Sequence, residues 1–131
     1  MFTFIPEPNM DIVNDVYHSK NNFKWAKDGK EFMLEQRGDT VHIGCYEGEV
    51  FHGVFSLREL PNDEFEIHLG LLPSIWGRSK DLADEFLSQL GKIIPGAKLV
   101  AWVDPSNALA KSLVRKVGFV GRGYNIYCKE L

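Results

Sequence analysis

A chain of 131 residues with 44% hydrophobic residues, nine Phe and three Trp carries enough apolar material for one domain with its own core, without metal or disulfide staples. The formal net charge of −3 argues against nucleic acid as the main partner, because phosphate-backbone binders carry a basic excess. No apolar run approaches the ~20 residues that cross a bilayer, so no membrane partner is expected.

The first segment, MFTFIPEPNMD, has no basic stretch ahead of an apolar one. That predicts no secretory leader and a cytoplasmic protein. Met1 to Pro6 reads as a short strand stopped by Pro6 and Pro8. Asn9 or Asp11 caps a helix over Met10 to His18, with Ile12, Val13, Val16 and Tyr17 on its apolar face. Residues 19–37 are ambiguous: 20–29 is loop-like apart from Phe23 and Trp25, and 31–37 suits a helix or a strand.

From Asp39 the periodicity sharpens. Val41, Ile43 and Cys45 alternate with His42, Gly44 and Tyr46, which is strand spacing. Glu47-Gly48 turns the chain. Glu49 to Leu60 returns as a second strand with Phe51, Phe55 and Leu57 on one face. Pro61-Asn62-Asp63 is a further turn, and Glu64 to Leu72 a third strand ended by Pro73. Asp81 to Ile94 is an amphipathic helix burying Leu82, Phe86, Leu90 and Ile93. After Pro95-Gly96, residues 99–103 form a continuously apolar strand, as expected where both sheet faces are covered.

Residues 107–117 form a last helix with Leu109, Leu113 and Val117 on one stripe and Gly118 as its stop. Two extended segments follow around a turn at Gly121-Arg122-Gly123. This order predicts an α/β or α+β fold in a single domain over residues 1–131, a sheet with helices on its faces. Cys45 and Cys128 read as reduced core thiols, with a disulfide or catalytic thiol as the alternatives. His18, His42 and His52 have no companions at metal-ligand spacing, so no metal is expected. Trp25 and Trp102 read as core residues.

Two segments resemble the GNAT N-acetyltransferase superfamily. The first is FEIHLGLLPSIWGRSKDLADEFLSQL, residues 65–90: a strand, a proline-ended exit, a glycine-containing loop and a helix. The second is WVDPSNALAKSLVRKVGF, residues 102–119: a strand, an Asn, an Ala-containing helix and a closing Gly-Phe. The compact form and the EIH…LLP strand are also similar to GNAT-like proteins of tailed bacteriophages, which would place the chain in a bacterial host's cytoplasm. The resemblance implies a mixed, mostly antiparallel, twisted sheet with helices on both faces.

In function it implies transfer of an acetyl group from acetyl-CoA to a primary amine by direct attack. The acceptor is a small molecule or a protein, with a homodimer left open. The family's Arg/Gln-x-x-Gly-x-Gly/Ala loop holds the pyrophosphate, and here Trp76, Gly77, Arg78, Ser79 and Lys80 occupy it. Trp stands where the pattern has Arg/Gln, and Asp81 where it has a small residue. Independently of the family, a helix N-terminus attracts an anion, and Arg78 and Lys80 add charge beside it. An ordinary capped helix with solvated basic residues is the alternative. Trp76 either lids the cofactor or packs beneath the helix.

The resemblance puts the pantetheine arm against Gly70 and Leu71, where a break in the strand exposes backbone; glycine in a strand often marks such a close approach. Asn107 would hold the cofactor or order the helix start. Glu66 and His68 share one face of their strand, with Glu64 on the same side, and imidazole titrates nearest neutrality. His68 is therefore the candidate base and Glu66 its partner. Many GNAT enzymes carry a tyrosine acid in the helix after the Asn, where this chain has Val114. Tyr124, or Tyr127, is the candidate substitute. The rival expectation is a GNAT-fold module that has lost catalysis and binds a partner in phage assembly or host interference.

Overall fold

The computed structural model describes residues 1–6, 9–17, 40–123 and 125–131, and among these it has seven strands and three α-helices. The ambiguous stretch 19–37, with Trp25, lies outside the described residues, as does Tyr124. In chain order the elements are β1 (Thr3–Pro6), α1 (Met10–Tyr17), β2 (Thr40–Glu47), β3 (Val50–Leu60) and β4 (Glu64–Leu71). A short 3-10 helix, Pro73–Arg78, leads into α2 (Ser79–Ile93). Then come β5 (Lys98–Trp102), α3 (Ala108–Lys116), β6 (Val120–Gly123) and β7 (Ile126–Glu130). The sheet runs β1-β2-β3-β4-β5-β7-β6. Every pair is antiparallel except β4 with β5.

Alternation along β2 to β4 sends one set of side chains to each face. Cys45, Phe55, Leu57 and Leu71 join the main core under α2 and α3, while Val54 packs with Val16 of α1 on the other face. Helices thus cover both faces, as expected. Phe55 and Phe86 stack with centroids 3.8 Å apart, and Phe4 meets Phe86 edge-on at 5.2 Å, seating α2 on the sheet. Asn62 and Asp63 both take positive φ, the backbone of a tight hairpin between β3 and β4.

Four sequence readings are corrected. Phe51 does not share a face with Phe55 and Leu57: Cys45 pairs with Gly53 but Tyr46 with Phe51, so His52 is an extra residue that resets the alternation. Phe51 therefore packs with Val54 and Val16. Ile93 is exposed, because the helix ends there and Ile94, with non-helical backbone, turns onto the core instead.

Leu109 is also exposed, since the core stripe of α3 is Ala110, Leu113, Val114 and Val117, at i, i+3, i+4 and i+7. The Gly121-Arg122-Gly123 stretch lies within β6, and the reversal falls after it, where Asn125 adopts φ 62°. Gly118 does stop α3, at φ 99°.

Candidate active site

A wedge opens in the middle of the sheet. β4 and β5 pair over only three positions, Glu64 with Lys98, Phe65 with Leu99 and Glu66 with Val100. Beyond them β4 stays with β3 as far as Leu71, while β5 stays with β7 as far as Trp102. The two halves of the sheet part, and the backbone of residues 67–71 borders the gap. Gly70 and Leu71 stand at its far end. Leu71 accepts a hydrogen bond from the Trp76 indole N–H at 3.3 Å, which ties the 3-10 helix back to the strand.

Glu66 and His68 lie together where the strands begin to part. His68 Nε2 is 3.1 Å from Glu66 Oε1, and Arg58 of β3 reaches Glu66 Oε2 at 2.6 Å. Glu64, at the closed end, pairs with Lys98 at 3.4 Å instead. The Glu66 side chain is mostly covered and the His68 side chain 49% exposed, so the imidazole is the member that solvent reaches. Next to them on the same face, His42 Nδ1 meets Ser56 Oγ at 2.7 Å. Burial first, and the neighbouring His68 second, hold the pKa of His42 below the ordinary imidazole value.

The start of α2 differs in form from the expected loop. Residues 73–78 are a 3-10 turn, and Ser79 Oγ donates back to the Trp76 carbonyl at 3.0 Å rather than capping α2. Arg78 donates to both oxygens of Glu47, at 2.9 and 2.5 Å, and lies over the Phe2 ring. Lys80 pairs with Asp84 at 2.5 Å. A Cβ at Gly77 would meet nothing within 4 Å, so the fold itself does not demand glycine there. Trp76 is half-exposed beside it.

Glu47 also takes a hydrogen bond from His52, whose other ring nitrogen meets Ser74 Oγ at 2.9 Å. The Arg78 bonds, then the His52 bond, lower the Glu47 carboxyl from 4.5 to about 2. A depressed carboxylate stabilises the fold above its ordinary pKa and loses that contribution as pH falls through the folded value. The thermal midpoint is accordingly expected to drop between about pH 4.5 and about 2. A Glu47→Gln variant lacks that part of the drop; an unchanged profile would assign it to other carboxylates.

Asn107 caps α3, its side chain accepting from the Ala110 N–H at 3.1 Å. Val114 packs against the core, and Tyr127 is buried there with Arg115 over its ring. The position of Tyr124 lies outside the described residues. Both cysteines are buried and unbridged, and burial pushes the Cys45 thiol up to about 12, which keeps it from serving as a thiolate near neutrality.

Trp102 is corrected from core to surface. It is 57% exposed, because β5 has left β4 before reaching it, and the register puts it on the Glu66 side of the wedge. The sequence reading did not place His42, Ser56 and Arg58 beside Glu66 and His68. A signal for one of them existed: His42-x-Gly44 and His68-x-Gly70 repeat one pattern, and they face each other across Ser56 and Val54.

No family model and no curated protein matches the chain. Solved structures do. A spermidine N-acetyltransferase from Vibrio cholerae, in complex with CoA and spermine, superposes with TM-score 0.75 at 15% identity, covering 98% of this chain and 92% of that one. A Campylobacter jejuni N-acetyltransferase in complex with acetyl coenzyme A gives 0.67 at 17%, over 100% and 98%. An aminoglycoside acetyltransferase in complex with coenzyme A gives 0.77 at 12%, over 99% and 95%. Identity at this level speaks for architecture alone, and on that architecture the chain has the fold of the GNAT N-acetyltransferases.

Proposed function

We propose that the protein is an acetyl-CoA-dependent N-acetyltransferase acting on a primary amine by direct attack. The observation that carries this reading is the wedge between β4 and β5 with His68 and Glu66 where it opens from the paired strands. Acetyl-CoA lies in the wedge with its pantetheine arm along Gly70 and Leu71 and its phosphates toward Trp76, Gly77, Arg78, Ser79 and Lys80. Asn107 steadies the far wall through the start of α3.

His68 takes a proton from the ammonium, and Glu66 orients the imidazole. The amine nitrogen attacks the thioester carbon, the new C–N bond forms, the C–S bond breaks as the oxyanion collapses, and the nitrogen gives up its surplus proton to solvent. Tyr124 is the candidate proton donor to the departing thiolate, since Val114 supplies none. No covalent enzyme intermediate is required, in keeping with the raised Cys45 thiol. The solved proteins of this fold named above are acetyltransferases, so a non-catalytic binding module is the less favoured reading.

Calorimetric titration with acetyl-CoA tests the reading. Saturable binding at one site per chain is expected. The Arg78→Ala, Lys80→Ala double variant should bind roughly tenfold or more weakly and with less dependence on salt, as lost charge-assisted phosphate contacts predict. Wild-type protein that binds nothing at millimolar ligand removes the enzyme. Binding indifferent to the double variant removes only the phosphate role of the two cations.

A further inference from the structure

At the end of β5 that pairs with β4, away from Gly70 and Leu71, β5, β6 and β7 border a surface cavity of about 520 Å³. Its bed is apolar, with Val120 and Cys128 opposite each other in the β6–β7 ladder. One cation reaches it from each strand: Lys98 of β5, Arg122 of β6 and Lys129 of β7. Glu130 is the one carboxylate in the lining.

Pairing within the chain does not use up this charge. Lys98 reaches Glu64 at 3.4 Å, although Glu130 is its neighbour across the β5–β7 ladder. Arg122 and Lys129 have no hydrogen bond or ion pair among the described residues. The Lys129 ammonium lies over Gly118, where a Cβ would stand 2.8 Å from Nζ, so the bare glycine leaves it room beside the cavity. Positive charge is thus gathered here in a chain whose formal net charge is −3.

The chemistry of a ligand follows from that lining. Cations around an apolar bed suit an anionic group joined to an uncharged body. A guanidinium fork and an ammonium can take different oxygens of a tetrahedral phosphate, whereas a carboxylate offers only two, in one plane. The volume falls within the ~300–1,000 Å³ of small-molecule sites, which leaves space for more than the phosphate itself.

We propose that this cavity is a second binding site, for a small phosphate monoester. The phosphate sits on Arg122 and Lys129 and the body over Val120 and Cys128, with Lys98 and Glu130 at its other end. The site is separate from Arg78 and Lys80 at the start of α2. It does not depend on the N-acetyltransferase reading.

Backbone-amide NMR in a phosphate-free buffer tests it, with glycerol phosphate, inorganic phosphate and acetate as probes. Glycerol phosphate is expected to shift the amides of residues 120–123 and 128–130 saturably, with a dissociation constant of roughly 1 mM or below. Inorganic phosphate should bind more weakly, and acetate roughly tenfold or more weakly. Arg122→Gln and Lys129→Met should each weaken glycerol phosphate binding roughly tenfold, as loss of one charge-assisted hydrogen bond predicts. Should one variant fail to fold, the other decides.

The Arg78→Ala, Lys80→Ala double variant should keep these shifts. Their loss there would assign the phosphate to the start of α2 and overturn the proposal. No saturable shift with glycerol phosphate, inorganic phosphate or acetate that binds as tightly, or affinity unchanged by the Arg122 and Lys129 variants overturns it as well. No acetylation enters the readout, so an enzyme reading that fails leaves this result standing.

Discussion

Replacing His68 by Ala is expected to lower kcat for amine acetylation by roughly two to four orders of magnitude while acetyl-CoA affinity stays close to wild type. The imidazole sits just past the point where β4 and β5 part, half in solvent, with Glu66 at 3.1 Å. Its removal leaves the main core untouched and Glu66 still bonded to Arg58. The loss therefore falls on proton transfer and not on folding.

The conservative variant separates this role from a structural one. His68→Gln keeps a hydrogen bond to Glu66 without a titrating base, so it should behave like Ala. Equal loss of turnover and of acetyl-CoA affinity in the Ala variant would assign His68 to binding instead.

Gly53→Ala is expected to destabilise the fold by about 2–6 kcal/mol, a large share of the ~5–15 kcal/mol that holds a typical domain. Gly53 has φ 149°, and a Cβ there would stand 2.2 Å from the Gly70 carbonyl oxygen and 3.0 Å from Leu71 Cα. Both obstacles are backbone, so no side chain can swing aside. The extra residue His52 is what turns the chain into this conformation, and the same contact sets where β4 ends beside the wedge.

Gly77→Ala is the control. A Cβ there meets open space, so stability should change by under about 0.5 kcal/mol. Any effect should instead be on acetyl-CoA affinity. Urea unfolding midpoints for the two variants decide the point: a Gly53→Ala midpoint within error of wild type would mean that β3 and β4 relax apart there at little cost.

Most element positions were legible because they depend on local rules. Strand alternation located β2 and β4, a continuous apolar run located β5, and positive-φ turn residues marked the β3–β4 hairpin. Gly118 marked the end of α3 for the same reason, since its backbone needs a residue without Cβ. Readings that extended a period past a local irregularity failed. Phe51 changed face because His52 adds one residue to β3, and one added residue inverts every side chain beyond it. Ile93 and Leu109 had plausible helical phases, but burial depends on what lies opposite, and nothing covers them.

From the sequence alone came the fold class, the order of the elements, and His68 with Glu66 side by side, because residues two apart on a strand must share a face. Register and strand divergence came only with the tertiary structure. They put His42 and Ser56 in line with His68, gave Arg58 to Glu66, and brought Trp102 out to the wedge. They also bound Arg78 to Glu47, a residue 31 positions away in the chain. Contacts of that kind are made across strands and between layers, where sequence separation carries no information about distance.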